Sequence, residues 1–239
     1  MRTLRYILLI SILLTLPCVS NAKEKEKEEE KGKTSLAKMF SLNGIGVSAD
    51  VFGLAYSVIG EYASSEFAFE VNLGNRFYPI AEIGLGWCNN VDETRGIKYK
   101  TSAPYYKIGL NYNLLTRKDK PNPKNYVYAL VRFGWSSFKY DIDAPPVTDP
   151  MWGSSTALKL NDVKGSCSWA EIGIGIKVKI AKGFHMGWTI RYKARISEKE
   201  GNNSKMWYVP GFGINKSTCF GGTYNLIYEI PFRKDRDKQ

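Results

Sequence analysis

The sequence predicts an all-β protein: about eight antiparallel strands in an up-and-down transmembrane β-barrel with a filled polar lumen. Three observations predict it. Eight segments alternate apolar and polar residues, and period two is the side-chain period of a strand. The connections are short at one end and long at the other, the asymmetry expected of a membrane barrel. The beginning of the 239-residue chain reads as an export signal.

That signal comes first. Arg2 and Arg5 precede an apolar run over 7–14, and Ser20-Asn21-Ala22 follows. A charged start, an apolar middle and a small-residue cleavage site define a signal peptide over 1–22. Lipid attachment at Cys18 is the alternative. The run is too short to span a bilayer as a helix, which takes about 20 residues. Residues 23–41 begin KEKEKEEEKGK, a mixed-charge tract that buries nothing and is expected to be a disordered periplasmic tail. The barrel is assigned to 42–232, and 233–239 forms a second polar tail.

The strands follow in order. In 44–52, Ile45, Val47, Ala49 and Val51 alternate with Gly46, Ser48 and Asp50. In 67–74, Phe67, Phe69, Val71 and Leu73 oppose Glu70 and Asn72. Segment 79–88 sets Ala81, Ile83, Leu85 and Trp87 against Glu82, Gly84, Gly86 and Cys88. Segment 105–114 sets Tyr106, Ile108, Leu110 and Tyr112 against Lys107, Gly109 and Asn111. In 127–136 Val131, Phe133 and Trp135 flank Arg132 and Gly134. Segment 168–180 is the most regular: Ile172, Ile174, Ile176 and Val178 against Glu171, Gly173, Gly175, Lys177 and Lys179. In 184–196 Met186, Trp188, Ile190 and Tyr192 oppose His185, Arg191, Lys193 and Arg195. The last, 222–232, opposes Tyr224, Leu226, Tyr228 and Ile230 to Thr223, Asn225 and Glu229. Each is about ten residues long, which suits a tilted membrane strand.

Alternation alone leaves open which face is inside. Turns at 75–78 and 181–183 are short; those after Cys88, Phe138 and Ile196 are long. An even strand number then puts both tails at the short-turn, periplasmic end. Aromatics crowd the apolar parity near strand ends, as interfacial girdles do. The apolar parity is therefore expected to face lipid. A Lys or Arg on that face costs roughly 2–4 kcal/mol at the midplane, so the register of the seventh segment, with Arg191 and Lys193 together, is locked. The candidate lumen network is Glu70, Glu82, Lys107, Arg132, Glu171, Lys177, Arg191 and Lys193. Eight strands leave a lumen that side chains fill, so a packed ion-pair plug is expected rather than an ion path.

The chain carries a formal charge of +11. It has no basic helix or RNA-binding motif, so no nucleic-acid partner is expected. Outer-membrane lipid is the expected environment, and the barrel is expected to be a monomer. Cys88, Cys167 and Cys219 remain after signal cleavage, an odd number. A disulfide would pin the long loops, with Cys88 and Cys167 the candidate pair. The single histidine, His185, sits beside a short turn with no nucleophile in sequence reach of a credible constellation. No enzyme activity, metal or cofactor is inferred. Asp141, Asp143 and Asp149 do not match a calcium loop, and the sequons at Asn202 and Asn215 are short patterns. Binding belongs to the long loops: Trp152, Trp207, Tyr208 and Phe212 are the candidate contact residues for a surface polysaccharide or a protein partner.

The stretches FHMGWTIRYKARIS (184–197) and WYVPGFGINKSTCFGGTYNLIYEI (207–230), with RFYPIAEIGLGW (76–87), NYVYALVRFGWSSFKYDI (125–142) and IKVKIAKGFHMGWTIRYK (176–193), resemble a family of small outer-membrane-type β-barrels from Bacteroidota, catalogued as a domain of unknown function. The resemblance implies an architecture and an outer-membrane address, with no activity to transfer. Two alternatives stand beside a structural or interaction barrel. One is a soluble or lipidated periplasmic lipocalin-like binding barrel with its apolar face inside. The other is a membrane-embedded lipid-modifying enzyme.

Overall fold

Period-two segments separated by glycine turns form eight barrel strands in the computed structural model, which describes residues 40–60, 62–117, 120–121, 125–148, 155–201 and 204–232. These are β1 (Leu42–Asp50), β2 (Tyr62–Leu73), β3 (Phe77–Asp92), β4 (Ile97–Asn113), β5 (Asn125–Thr148), β6 (Ser155–Lys179), β7 (Phe184–Lys199) and β8 (Thr218–Pro231). A helix, α1 (Val51–Ile59), joins β1 to β2. The assigned signal peptide, the charged tail up to residue 39 and the C-terminal tail lie outside the described residues, as do Trp152, Asp149 and Asn202.

Every strand pairs antiparallel with its neighbour in the chain, and β1 closes the ring by pairing with both β2 and β8. Val47, for example, faces Phe69 on one side and Tyr228 on the other. Closure gives the transmembrane backbone its hydrogen-bond partners, without which a sheet could not sit in lipid. The short turns are built for reversal. Gly74 and Asn75 have φ of 60° and 56°, and Gly183 has φ of 80°, the left-handed region that tight hairpins use. Asn75 N–H also donates to Asn72 Oδ1 at 2.9 Å.

The apolar parity faces outward. On β6, Ile172, Ile174 and Ile176 are 51–59% exposed, while Glu171 and Lys177 on either side of them are 0% and 1% exposed. Trp188 and Ile190 of β7 and Ile83 and Leu85 of β3 continue the same surface. A ring of large exposed aliphatics around a charged interior is stable in hydrocarbon and not in water. That polarity overturns the lipocalin-like alternative, which needs the apolar face inside. Aromatics edge the ring, including Tyr106 stacked on Trp135 at 5.8 Å and Phe184 against Tyr228 at 4.9 Å.

Three expectations are corrected. The long connections after Cys88 and Phe138 are mostly strand: β3 and β4 run on to a tight turn at 93–96, and β5 and β6 form a hairpin well beyond the apolar ring. Its alternation persists with the opposite chemistry. Outward positions become Ser137, Lys139 and Asp141, and inward ones Phe138 and Tyr140. The first strand ends at Asp50 rather than at residue 52, because VFGLAYSVI coils into α1; this run has no polar alternation to hold it in a sheet. The third correction concerns the last connection. Within it, Tyr208–Val209 pairs with Gly213–Ile214, and the segment folds into the mouth of the barrel.

Candidate functional site

The lumen is stacked in three layers. Its floor, at the short-turn end, is aromatic and charged. Tyr78, Tyr126, Tyr128 and Leu130 pack as one buried cluster. Lys177 sits 5.4 Å from the Tyr78 ring and 5.8 Å from that of Tyr126, a cation–π arrangement. Its ammonium meets Glu70 at 2.5 Å and Glu229 at 3.1 Å. Asn72 donates to Glu229 at 2.8 Å. His185, 5% exposed, lies here with Nε2 3.9 Å from Glu229.

The middle layer holds the remaining predicted charges. Lys107 pairs with Glu66, and lies 3.3 Å from Glu171 and 3.8 Å from Glu82. Arg132 donates to Glu82 at 3.0 Å and to Asn111 at 2.7 Å. Arg191 reaches Glu66, Glu171 and Glu82 at 3.0, 3.4 and 3.5 Å. Each carboxylate is shared by cations from other strands, which is what buried charges demand. An unpaired buried charge costs several kcal/mol. Lys193 differs. Its nearest carboxylate oxygen, on Glu171, is 4.0 Å away, and its ammonium donates to the carbonyls of Gly211 and Phe212 at 2.8 and 3.4 Å.

The upper layer is an aromatic cap. Trp169 is fully buried and donates its indole N–H to Glu171 at 2.7 Å, tying cap to charge layer. Tyr105 does the same by donating to Glu66 at 3.1 Å. Gly134 leaves room for the Trp169 ring: a Cβ there would meet its indole nitrogen at 2.7 Å. Phe138, Tyr140 and Tyr99 continue the cluster, and the last connection drops onto it. Tyr99 donates to Tyr208 O at 3.0 Å, Tyr140 to Ser204 O at 3.1 Å, and Tyr208 to Ala63 O at 3.3 Å. Burial raises the Tyr208 hydroxyl well above the ordinary phenol range, so it remains a neutral donor.

The eight predicted lumen residues are brought together: Glu70 and Lys177 on the floor, the other six in the middle. Glu66 was missed, although it lies at the centre of the network. It sits one residue before the segment taken to start at Phe67, on the parity of Glu70, and extending that alternation would have found it.

The loop residues are corrected. Tyr208 and Phe212 are each 2% exposed. They are cap residues inside the mouth, drawn there by the aromatic cluster beneath. Trp207 remains partly exposed at 37%, edge-on to Tyr62 and Tyr99. The Cys88–Cys167 disulfide is also overturned. Those residues stand on β3 and β6, separated by β4 and β5 at about 4.8 Å per strand, and aromatic rings fill the lumen between. Asp141 and Asp143 lie on the hairpin wall facing Lys100 and Lys98 across the strand pair. Among the described residues no group of three or more His, Cys, Asp or Glu is placed to hold a metal ion.

Cavities among the described residues interrupt the packing. One of about 20 Å3 lies in the charge layer, room for about one water. Another, about 170 Å3, lies beneath α1 and reaches Arg191 and Lys193.

The family described as Domain of unknown function (DUF6048) matches residues 3–235, and the chain belongs to it. No curated protein shows significant similarity to the chain. Among solved structures, the chain is similar to a major outer membrane protein of Thermus thermophilus, at 13% identity and a TM-score of 0.47, over 79% of this chain and 99% of that one. It is also similar to Ail, the attachment invasion locus protein of Yersinia pestis, solved with the heparin analogue sucrose octasulfate. That match has 11% identity and a TM-score of 0.40, over 80% of this chain and 100% of that one.

Proposed function

We propose that this member of the DUF6048 family is an outer-membrane β-barrel of structural or interaction type, neither pore nor enzyme, that presents the β5–β6 hairpin outside the cell. The observation that carries this reading is the filling of the lumen. A tyrosine floor, a salt-bridged middle and an aromatic cap succeed one another along the axis. No continuous aqueous path fits through such a stack. The charged and apolar start of the chain supports export.

With Tyr208 and Phe212 drawn into the cap, the contact surface shifts to the hairpin and the exposed edge of Trp207. A surface polysaccharide or a protein is the partner class that such an outward surface would meet. His185 is on the floor, remote from that surface, and its nearby carboxylate belongs to the Lys177 ion pair. Among the described residues no nucleophile is recorded in contact with it, which argues against lipid-modifying chemistry.

The test is placement and conductance. Lys159 lies exposed on the hairpin. A Lys159→Cys variant should react with a membrane-impermeant maleimide on intact cells well above the wild-type background. Planar bilayers containing the purified barrel should show no stable channels. Unlabelled cells, or a steady large conductance, would refute the reading.

A further inference from the structure

The barrel wall has a notch. β1 stops at Asp50, opposite Asn225 of β8, and its last β2 partner is Phe67. Above that level Thr218–Tyr224 of β8 pairs only with β7, and Tyr62–Glu66 of β2 pairs only with β3. The gap lies at the height of Trp87 and Tyr192, which are outward-facing aromatics at the upper edge of the apolar ring. It is therefore level with the outer lipid leaflet.

α1 closes the notch, packing against β2 and β8. Its sequence, VFGLAYSVI, holds no charge, and Val51, Phe52, Leu54 and Tyr56 are 39–60% exposed. A one-sided apolar helix would hide these side chains in a core. Here they extend the lipid-facing surface across the gap. The face against the barrel is Gly53, where a Cβ would press on the Asp50 carboxylate. Over Val51–Tyr56 the helix thus closes the wall with largely exposed apolar side chains, two of which, Phe52 and Tyr56, also border the space behind it.

Behind it lies the cavity of about 170 Å3, running from Phe52 and Tyr56 to Arg191 and Lys193. Its charges are not equally committed. Glu66 is held by Lys107 and Arg191, and Asp50 accepts from the Tyr224 N–H at 3.2 Å. Lys193 spends two of an ammonium's three donors on carbonyls and has no carboxylate closer than 4.0 Å. Arg191, 2% exposed, keeps its Nε–H buried without a hydrogen-bond partner. One buried and one part-buried cationic group with donor capacity left over line a single cavity that reaches the apolar residues Phe52 and Tyr56 of α1.

We propose that the notch is a lateral portal and the cavity a binding site for the phosphate head group of a membrane lipid, with Lys193 as the principal contact, Arg191 as the second, and α1 as the door. The phosphate oxygens take the spare donors, and the acyl chains stay outside along α1 and the exposed Phe220. The same anion chemistry could admit free phosphate from the mouth, and the experiment separates the two.

The full chain, folded in detergent, is titrated with dihexanoyl phosphatidic acid, with dihexanoyl phosphatidylcholine and with inorganic phosphate. The phosphatidic acid should bind saturably at one site, and the other two at least roughly tenfold more weakly, the value of one charge-assisted hydrogen bond. Lys193→Gln keeps donors for the Gly211 and Phe212 carbonyls and should lose roughly tenfold in lipid affinity. Lys193→Arg should retain it. A heat-dependent shift in gel mobility checks that each variant is folded, and the comparison among the three ligands holds without any variant. No saturable lipid binding, or unchanged affinity in a folded Lys193→Gln barrel, would overturn the site. Inorganic phosphate binding as tightly as the lipid would overturn the portal.

Discussion

The lower and upper halves of the same strands are chemical opposites. On β5, Val131, Phe133 and Trp135 point out while Arg132 points in; a few residues higher, Lys139 and Asp141 point out while Phe138 and Tyr140 point in. β6 repeats the change, with Ile172 and Ile174 outside Glu171 below, and Lys164 and Ser166 outside Val163 and Cys167 above. The pleat keeps its parity throughout. What changes is the solvent. Against lipid, the wall must be apolar and the charges retreat to the lumen; against water, the aromatics retreat and the charges come out. Opposite charges then face each other across the outer wall, Lys98 with Asp143 and Lys100 with Asp141. One strand thus belongs to an inside-out protein and to an ordinary one, and the boundary falls at the Tyr106–Trp135 stack.

The difference is broken most severely at the charge layer. Arg191→Met removes the guanidinium nitrogen that lies within 3.5 Å of three carboxylates. The membrane half buries those charges among one another, so the loss should cost about 3–5 kcal/mol. Urea unfolding of the vesicle-reconstituted barrel would read it. A cost below about 1 kcal/mol would mean that water reaches the lumen, as it does an exposed pair.

Parity in the membrane half was legible because period two and a single polarity ran together over whole segments such as 168–180. The upper half keeps the period but reverses the polarity. A search for apolar outward positions therefore stops at Trp135 and reads the remainder as loop. α1 was hidden for a related reason: nine residues without charge carry neither alternation nor a polar face. The cap was hidden because Tyr208 and Phe212 are buried by Trp169, Tyr105 and Tyr99, which are distant in sequence. Aromatics in a polar connection announce a contact without saying whether it is with a partner or with the barrel itself.

A paired substitution on one strand sharpens the boundary. Ile174 and Ser166 share the outward parity of β6, one within the apolar ring and one above it. Ile174→Arg should destabilise by about 2–4 kcal/mol, the midplane cost on a barrel exterior. Ser166→Arg should stay within about 0.5 kcal/mol, as surface substitutions do. The same unfolding assay measures both. Equal effects would place Ser166 in lipid and move the boundary upward.

A small effect in the upper half should remain local. Tyr140 donates to Ser204 O at 3.1 Å and has Ser204 Oγ at 2.8 Å, fastening the last connection to the hairpin wall. Tyr140→Phe keeps the ring, and with it the stack on Tyr99 at 5.5 Å, while removing only the hydroxyl. The net loss should be about 1 kcal/mol. The charge layer shares strands with every part of the ring, so a change there is global. The cap is held by side chains above it and opens as its own unit. Amide exchange in the described residues 204–217 should therefore accelerate about fivefold, the kinetic equivalent of that loss, while β6 amides around Ile174 stay protected. Equal acceleration in both places would show that cap and barrel unfold as one, and that the two halves differ in polarity without differing in cooperativity.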